Sequence, residues 1–195
     1  MDFVNTHVYG WGMEDQPTKD RLTRSAWLDH GLRILARQGA DALKVGALAT
    51  GLNVSRGSFY WHFKDISEFR LQLLQRWQER TTDQVIEGID ASIVGTARLT
   101  HLMKLAFNED RSLDRAIRAM ASTDADVAKM VASVDARRVG YMAKWLIEAG
   151  VESQRALPRA EFLYWAYIGQ SAVMDPRHSA ITELDVDDLS ALFTR

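Results

Sequence analysis

The stretch Lys44–Phe63, KVGALATGLNVSRGSFYWHF, decides the fold. Val45, Leu48, Ala49 and Leu52 recur at i, i+3, i+4 and i+7, which gives a short helix one apolar face. Asn53 follows, a residue type that tolerates the left-handed backbone a sharp helix exit needs. Ser55 is placed to cap a second helix, and Val54 and Phe59 are spaced to form a hydrophobic staple across its start. Phe59 and Phe63 lie one turn apart and should face inward. Arg56, Tyr60 and Lys64 then form an outward row, with Gly57 and Trp61 beside them. Two short helices around a tight turn, the second with a donor-rich outer face, make a helix-turn-helix.

Such a face suits duplex DNA. Arg56, in the first turn of the second helix, has the reach for a bidentate contact to guanine, and Gly57 removes a side chain where backbone and duplex meet. Ser58, Tyr60, His62 and Lys64 supply donors of different lengths to phosphate oxygens, which set register without reading sequence. The competing reading is a small three-helix domain in which Tyr60, Trp61 and His62 are only core or rim residues.

From about residue 21 to 77 the chain resembles the N-terminal domain of TetR-family transcriptional regulators. Arg24, the apolar run Trp27–Leu35 and Gly39 resemble the first helix and its stop, and Val45 with Leu48–Ala49 the second helix. Val54–Ser55 and Gly57–Ser58–Phe59–Tyr60–Trp61–His62–Phe63 resemble the turn and recognition helix, the most specific part. Two positions depart from the pattern: Asn53 stands where the family usually has glycine, and Ile66 where it often has lysine. The resemblance implies an all-α fold: a three-helix DNA-binding domain, then a larger helical domain for ligand binding and dimerisation. The DNA-binding set it implies is Lys44, Ser55, Arg56, Gly57, Ser58, Tyr60, Trp61, His62 and Lys64.

Composition is consistent with this. The 195 residues suffice for a small domain plus a larger one. Net charge is only −2, but residues 18–80 hold 11 Lys and Arg against 6 Asp and Glu, a net of +5, leaving −7 elsewhere. The basic charge thus sits with the helix-turn-helix. The chain has no cysteine, hence no disulfide framework, and its apolar runs are too short to span a bilayer. A cytoplasmic protein with no membrane partner is expected. Residues 1–17 lack the basic start and apolar core of a signal peptide and read as a mobile extension carrying Phe3, Tyr9 and Trp11. The expected division is 1–17 extension, 18–66 DNA-binding domain and 67–195 ligand-binding and dimerisation domain.

The remainder reads as successive helices. One should run from about Ser67 into the eighties, with Phe69, Leu73 and Trp77 repeating on one face as the link between domains. Leu99, Leu102, Met103 and Ala106 mark another, and Leu113–Ala121 a short one. Ser122 or Asp124 should cap a long helix that buries Val127, Val131, Val134, Met142 and Trp145 and stops at Gly150. Pro158 is expected just before or at the start of a helix through Val173. A last helix should put Leu189, Leu192 and Phe193 on one face.

The segment Phe162–Met174, FLYWAYIGQSAVM, is apolar nearly all round and needs cover on more than one side. The resemblance implies that it packs against its copy in a homodimer through Phe162, Trp165, Ile168, Gly169, Ala172 and Val173; the alternative is the buried central helix of a monomer. Met103, Phe107, Met120, Met142, Trp145, Tyr164 and Trp165 are candidate lining for a small-molecule effector, against the plainer reading that they are core.

Catalysis finds no support. His7, His30, His62, His101 and His178 include no i, i+4 pair, and no phosphate loop or nucleophile elbow is present, so neither metal, cofactor nor catalytic residue is expected. Arg137–Arg138, Asp124–Asp126 and Asp185–Asp188 read as solvated faces or helix starts. Three functions stay open. The first is a dimeric repressor that binds a palindromic operator in double-stranded DNA and is released by a small molecule. The others are an all-helical carrier or enzyme for an apolar ligand, and a dimeric interaction module without DNA binding.

Overall fold

A computed structural model describes residues 22–108, 110–173 and 183–194, with the backbone alone at 108, 171–173 and 183. The expected extension at residues 1–17, and His7 and His178, lie outside the described residues. The described chain is all-α. Helix α1 spans Arg24–Gln38, α2 Val45–Gly51, α3 Arg56–Tyr60 and α4 Ile66–Gln78. A π-helical turn at Glu79–Asp83 carries α4 into α5, Gln84–Ser92. Then come α6 Ala97–Asn108, α7 Ser112–Ala121, α8 Ala125–Glu148, α9 Ser153–Val173 and α10 Glu183–Thr194.

Local chemistry sets most of these ends. Thr23, Asp65 and Asp124 cap α1, α4 and α8, their side-chain oxygens accepting first-turn amides. Gly39 (φ 78°) and Gly150 (φ 100°) take the left-handed backbone beyond α1 and α8, as does Asn53 (φ 54°) between α2 and α3. Four expectations need correction. Ser55 holds the cap position of α3 but its hydroxyl accepts no amide there; the turn closes instead through the Ser58 amide donating to the Ser55 carbonyl. The recognition helix is only five residues long, so Lys64 lies beyond its end rather than on a third turn. Pro158 sits inside α9, whose first turn begins at Ser153. In α10, Leu192 is exposed, and Val186, Leu189 and Phe193 face the core.

One apolar core joins the first four helices to α7 and the N-terminal half of α8. Trp27, Phe59, Phe63, Phe69 and Trp77 are buried there with Ile117, Val127 and Val134. Close approach of α1 and α4 depends on Gly31, where a Cβ would fall 2.6 Å from Phe69 Cζ and 2.8 Å from Leu73 Cδ1. A second core gathers Leu99 and Met103 of α6, Met142 and Leu146 of α8, Leu163 and Tyr164 of α9 and Val186 of α10. Between the two lies a cavity at the end of the α4 segment.

Candidate nucleic-acid interface and an internal cavity

The recognition helix is too short to hold itself and is fixed by the aromatic cluster behind it. Phe59 is fully buried, edge-on to Trp27 at 5.5 Å and packed on Phe63 (5.1 Å) and Phe69 (5.5 Å). Its exit is tied down by Arg24 of α1. That guanidinium donates to the His62 carbonyl at 2.6 Å and to Glu68 Oε1 at 2.7 Å, and lies 5.1 Å from the Phe63 ring centroid. Glu68 also accepts from the Lys64 amide and the Gln72 side chain, both at 2.7 Å. The backbone from Tyr60 to Asp65 is therefore positioned by α1 and α4 together.

This frame leaves an outer face of Lys44, Ser55, Arg56, Gly57, Tyr60, Trp61 and Lys64, all exposed, with Ser58 and His62 partly covered. Trp61 is 87% exposed and Tyr60 59%, high values for aromatic side chains in so compact a unit. A Cβ at Gly57 would meet nothing closer than Ser55 Oγ at 3.6 Å, so packing within the domain does not demand glycine there. Arg56 lies against α2: a Cβ on Gly46 would stand 3.0 Å from its Nη2. The residues read from spacing as base-facing and phosphate-facing are thus exposed or partly covered, and Arg56 reaches back to the first turn of α2.

Residues 28–73 match the family described as bacterial regulatory proteins, tetR family. The amino-terminal domain belongs to the tetR family. Within it, 46 residues are 44% identical to the HTH-type transcriptional regulator AcrR of Shigella flexneri, a match covering 24% of this chain and 21% of that protein. The chain thus aligns with about a fifth of that curated relative. The fold extends the likeness well beyond the tetR domain. The reduced form of E. coli NemR superposes with a TM-score of 0.72 over 87% of this chain and 94% of that one, at 16% identity. A TetR-family member from Streptomyces coelicolor A3 gives 0.64 over 89% and 98%, at 15% identity.

Behind the tetR domain, the π turn and α5–α9 line a cavity of about 160 Å³. Met103, Phe107, Met142, Trp145 and Tyr164 line it, as expected from sequence. Met120 and Trp165 do not: Met120 is buried in the first core, and Trp165 is 67% exposed on the far side of α9. The wall also holds polar groups that the sequence did not reveal, Thr81, Thr82, Asp110, Arg111, Asp114, Arg138 and Tyr167.

Thr81, Thr82, Asp114 and Arg138 belong to one network, which continues through Tyr164 to Arg118 and Asp135. Arg138 donates to Asp114 Oδ2 (3.1 Å), Thr82 Oγ1 (2.9 Å) and Thr81 Oγ1 (2.9 Å), while the Trp77 indole donates to Asp114 Oδ1 at 2.9 Å. Arg118 grips Asp135 with two bonds of 3.0 and 2.7 Å, and the Tyr164 hydroxyl donates to Asp135 at 2.5 Å. Burial disfavours the charge on Arg118 and Arg138, but their carboxylate partners outweigh it and hold both above the ordinary arginine range. Burial, reinforced by the bond to Asp135, raises the Tyr164 hydroxyl and keeps it neutral. The reading of Arg137–Arg138 as a solvated pair is corrected: Arg137 pairs with Asp83 near the surface, whereas Arg138 points inward with a side chain only 13% exposed.

Along α9, Leu163 and Tyr164 turn toward the core, while Phe162 (58% exposed) and Trp165 face out. Phe162 stacks on Phe193 of α10 at 6.1 Å. Ile168 and Gly169 are partly covered, and the side chains of Ala172 and Val173 lie outside the described residues. No helix among the described residues is long and apolar enough to cross a membrane.

Proposed function

We propose that the chain is a homodimeric transcriptional repressor that binds a palindromic operator through α3 and is released when a small molecule enters the cavity. The observation that carries the reading is the exposed face Arg56–Lys64, held rigid from behind by Phe59, Phe63 and Arg24 in a domain of the tetR family. Aromatic and cationic groups on a preorganised surface are what major-groove and phosphate contacts need. Arg56 and Gly57 take the base-facing role, and Lys44, Ser55, Ser58, Tyr60, Trp61, His62 and Lys64 contact phosphate and sugar. Dimerisation through α9 is supported by the large apolar side chains Phe162 and Trp165 that α9 leaves uncovered. A two-fold axis there would present two α3 helices to successive major grooves, about 34–36 Å apart.

Selection of bound duplexes from a random pool tests this directly. A recovered palindrome whose affinity falls steeply as salt rises is the expected result. Recovery of no preferred sequence at low salt, from a protein that remains dimeric, would overturn the repressor reading and favour the interaction module.

A further inference from the structure

The cavity wall carries two arginines and two carboxylates, Arg111, Arg138, Asp110 and Asp114, but of these four only Arg138 and Asp114 pair with each other. Arg138 and Arg118 are matched by Asp114 and Asp135 in the network described above. Arg111 has no such partner: among the described residues no carboxylate lies within ion-pair distance of its guanidinium. It is held instead by neutral groups. Nε and Nη2 donate to the Ala106 carbonyl at 3.2 and 2.8 Å, and Nη1 to the Tyr167 carbonyl at 3.4 Å. The rings of Phe107 and Tyr167 lie 5.5 and 4.9 Å from its Cζ. These bonds use three of the five N–H groups a guanidinium carries, which leaves two for a further acceptor. Arg111 stays charged while burial penalises that charge, and it does so on a cavity wall that also holds Leu102, Met103, Met142 and Trp145.

We propose that the cavity takes a small amphiphilic carboxylate, its carboxyl group bound by Arg111 and its alkyl or aryl body packed on Leu102, Met103, Met142 and Trp145. The proposal rests on the effector-binding reading given above and names the chemical class of the effector. An anion satisfies the open N–H groups and supplies the close ion pair that no carboxylate among the described residues gives Arg111, and Arg is the side chain best shaped for planar recognition of a carboxylate. A neutral ligand would supply no such ion pair, and a cation would oppose the guanidinium. The size fits a short chain: a cavity of roughly 150 Å³ lined by aliphatic and aromatic side chains is known to hold benzene, and this one measures about 160 Å³.

The test is a calorimetric titration of the free protein at neutral pH with hexanoate, octanoate, decanoate and 4-phenylbutyrate. Methyl octanoate, octanol and octylamine are run beside them. At least one acid should bind, and more tightly than its neutral and cationic counterparts by on the order of tenfold or more. In Arg111→Gln the acid should lose that advantage while methyl octanoate binds as before, and Arg111→Lys should recover part of it. If no acid binds, or if the ester or amine matches the best acid, the proposal is overturned. Should Arg111→Gln fail to fold, the comparison among ligands on the unaltered protein still decides. Because no DNA is present, failure to bind an operator would not disturb this result, and acid binding that leaves operator affinity unchanged would refute only the release step.

Discussion

The indole Nε1 of Trp77 donates to Asp114 Oδ1 at 2.9 Å, and Arg138, bound to the other oxygen of the same carboxylate, lies 5.3 Å from the Trp77 ring centroid. One carboxylate on α7 thus joins the end of α4, which packs against the recognition helix, to α8 in the cavity wall. Removing it would leave a buried guanidinium with hydroxyls and a carbonyl as its nearest acceptors.

Asp114→Ala should therefore destabilise the fold by about 3–5 kcal/mol, the usual range when one member of a buried pair is lost. Equilibrium unfolding in urea measures this, and Trp77→Phe should cost less, about 1–3 kcal/mol, because a hydrogen bond and part of a buried ring go while the charge pair stays. A loss below about 1 kcal/mol for the alanine variant would mean that water reaches Arg138.

On DNA, Arg56→Ala should relax base preference, whereas Lys64→Ala should weaken binding by a similar factor on every sequence and reduce the salt slope by about one. Fluorescence anisotropy with the selected operator and a scrambled duplex separates the two. Unchanged operator affinity in both variants would mean that the wrong face has been assigned.

Trp165→Glu, or Phe162→Glu, should yield a folded monomer, since each places a carboxylate in an apolar surface that α9 presents outward. Sedimentation velocity with circular dichroism checks it. A dimer that survives both substitutions would put the two-fold axis elsewhere.

Acid should loosen the contact between α1 and α2. His30 is buried, its Nε2 has no hydrogen-bond partner among the described residues, and a Cβ on Gly51 would stand 2.6 Å from that nitrogen. Burial, with the charge of Arg33 adding to it, lowers the His30 pKa. The unfolded chain then takes up its proton first as pH falls below about 6.5, so stability is full above that value and declines through the folded-state pKa. Urea unfolding at pH 7.5 and pH 5.5 should show a smaller difference in His30→Leu than in the unaltered protein. An equal difference in both would remove His30 as the cause.

Where side-chain spacing alone sets the structure, the sequence was readable. Phe59 and Phe63 face inward because a helical turn puts them there, Asn53 turns left because its short polar side chain tolerates it, and Val127, Val131 and Val134 form one stripe of α8. Long-range polar pairing left no comparable trace. Arg137 and Arg138 are chemically identical neighbours, and only the arrival of Asp114 and Thr82, 24 and 56 residues away, sends the second inward. Arg111 was missed for the same reason, since its acceptors are backbone carbonyls of α6 and α9, and a carbonyl has no signature in sequence. Pro158 misled because proline is usual at a helix start, yet here it occupies the sixth residue of α9, where one helical hydrogen bond is forgone.

The π-helical turn at Glu79–Asp83 carries a last consequence, for how this protein tolerates insertion and deletion. A π turn holds one residue more than an α turn, so the helix beyond it is set back by about 100° in phase. Thr82 is buried in that turn, and Ile86 and Ile89 beyond it reach Trp145 in the phase it sets. Losing a single codon between Glu79 and Asp83 would let an uninterrupted α ladder replace the π turn and leave both isoleucines in the phase that reaches Trp145, whereas a one-residue insertion carried on as α-helix would swing both off it. Loss of one residue should therefore be tolerated better at this turn than in the unbroken helices on either side of it.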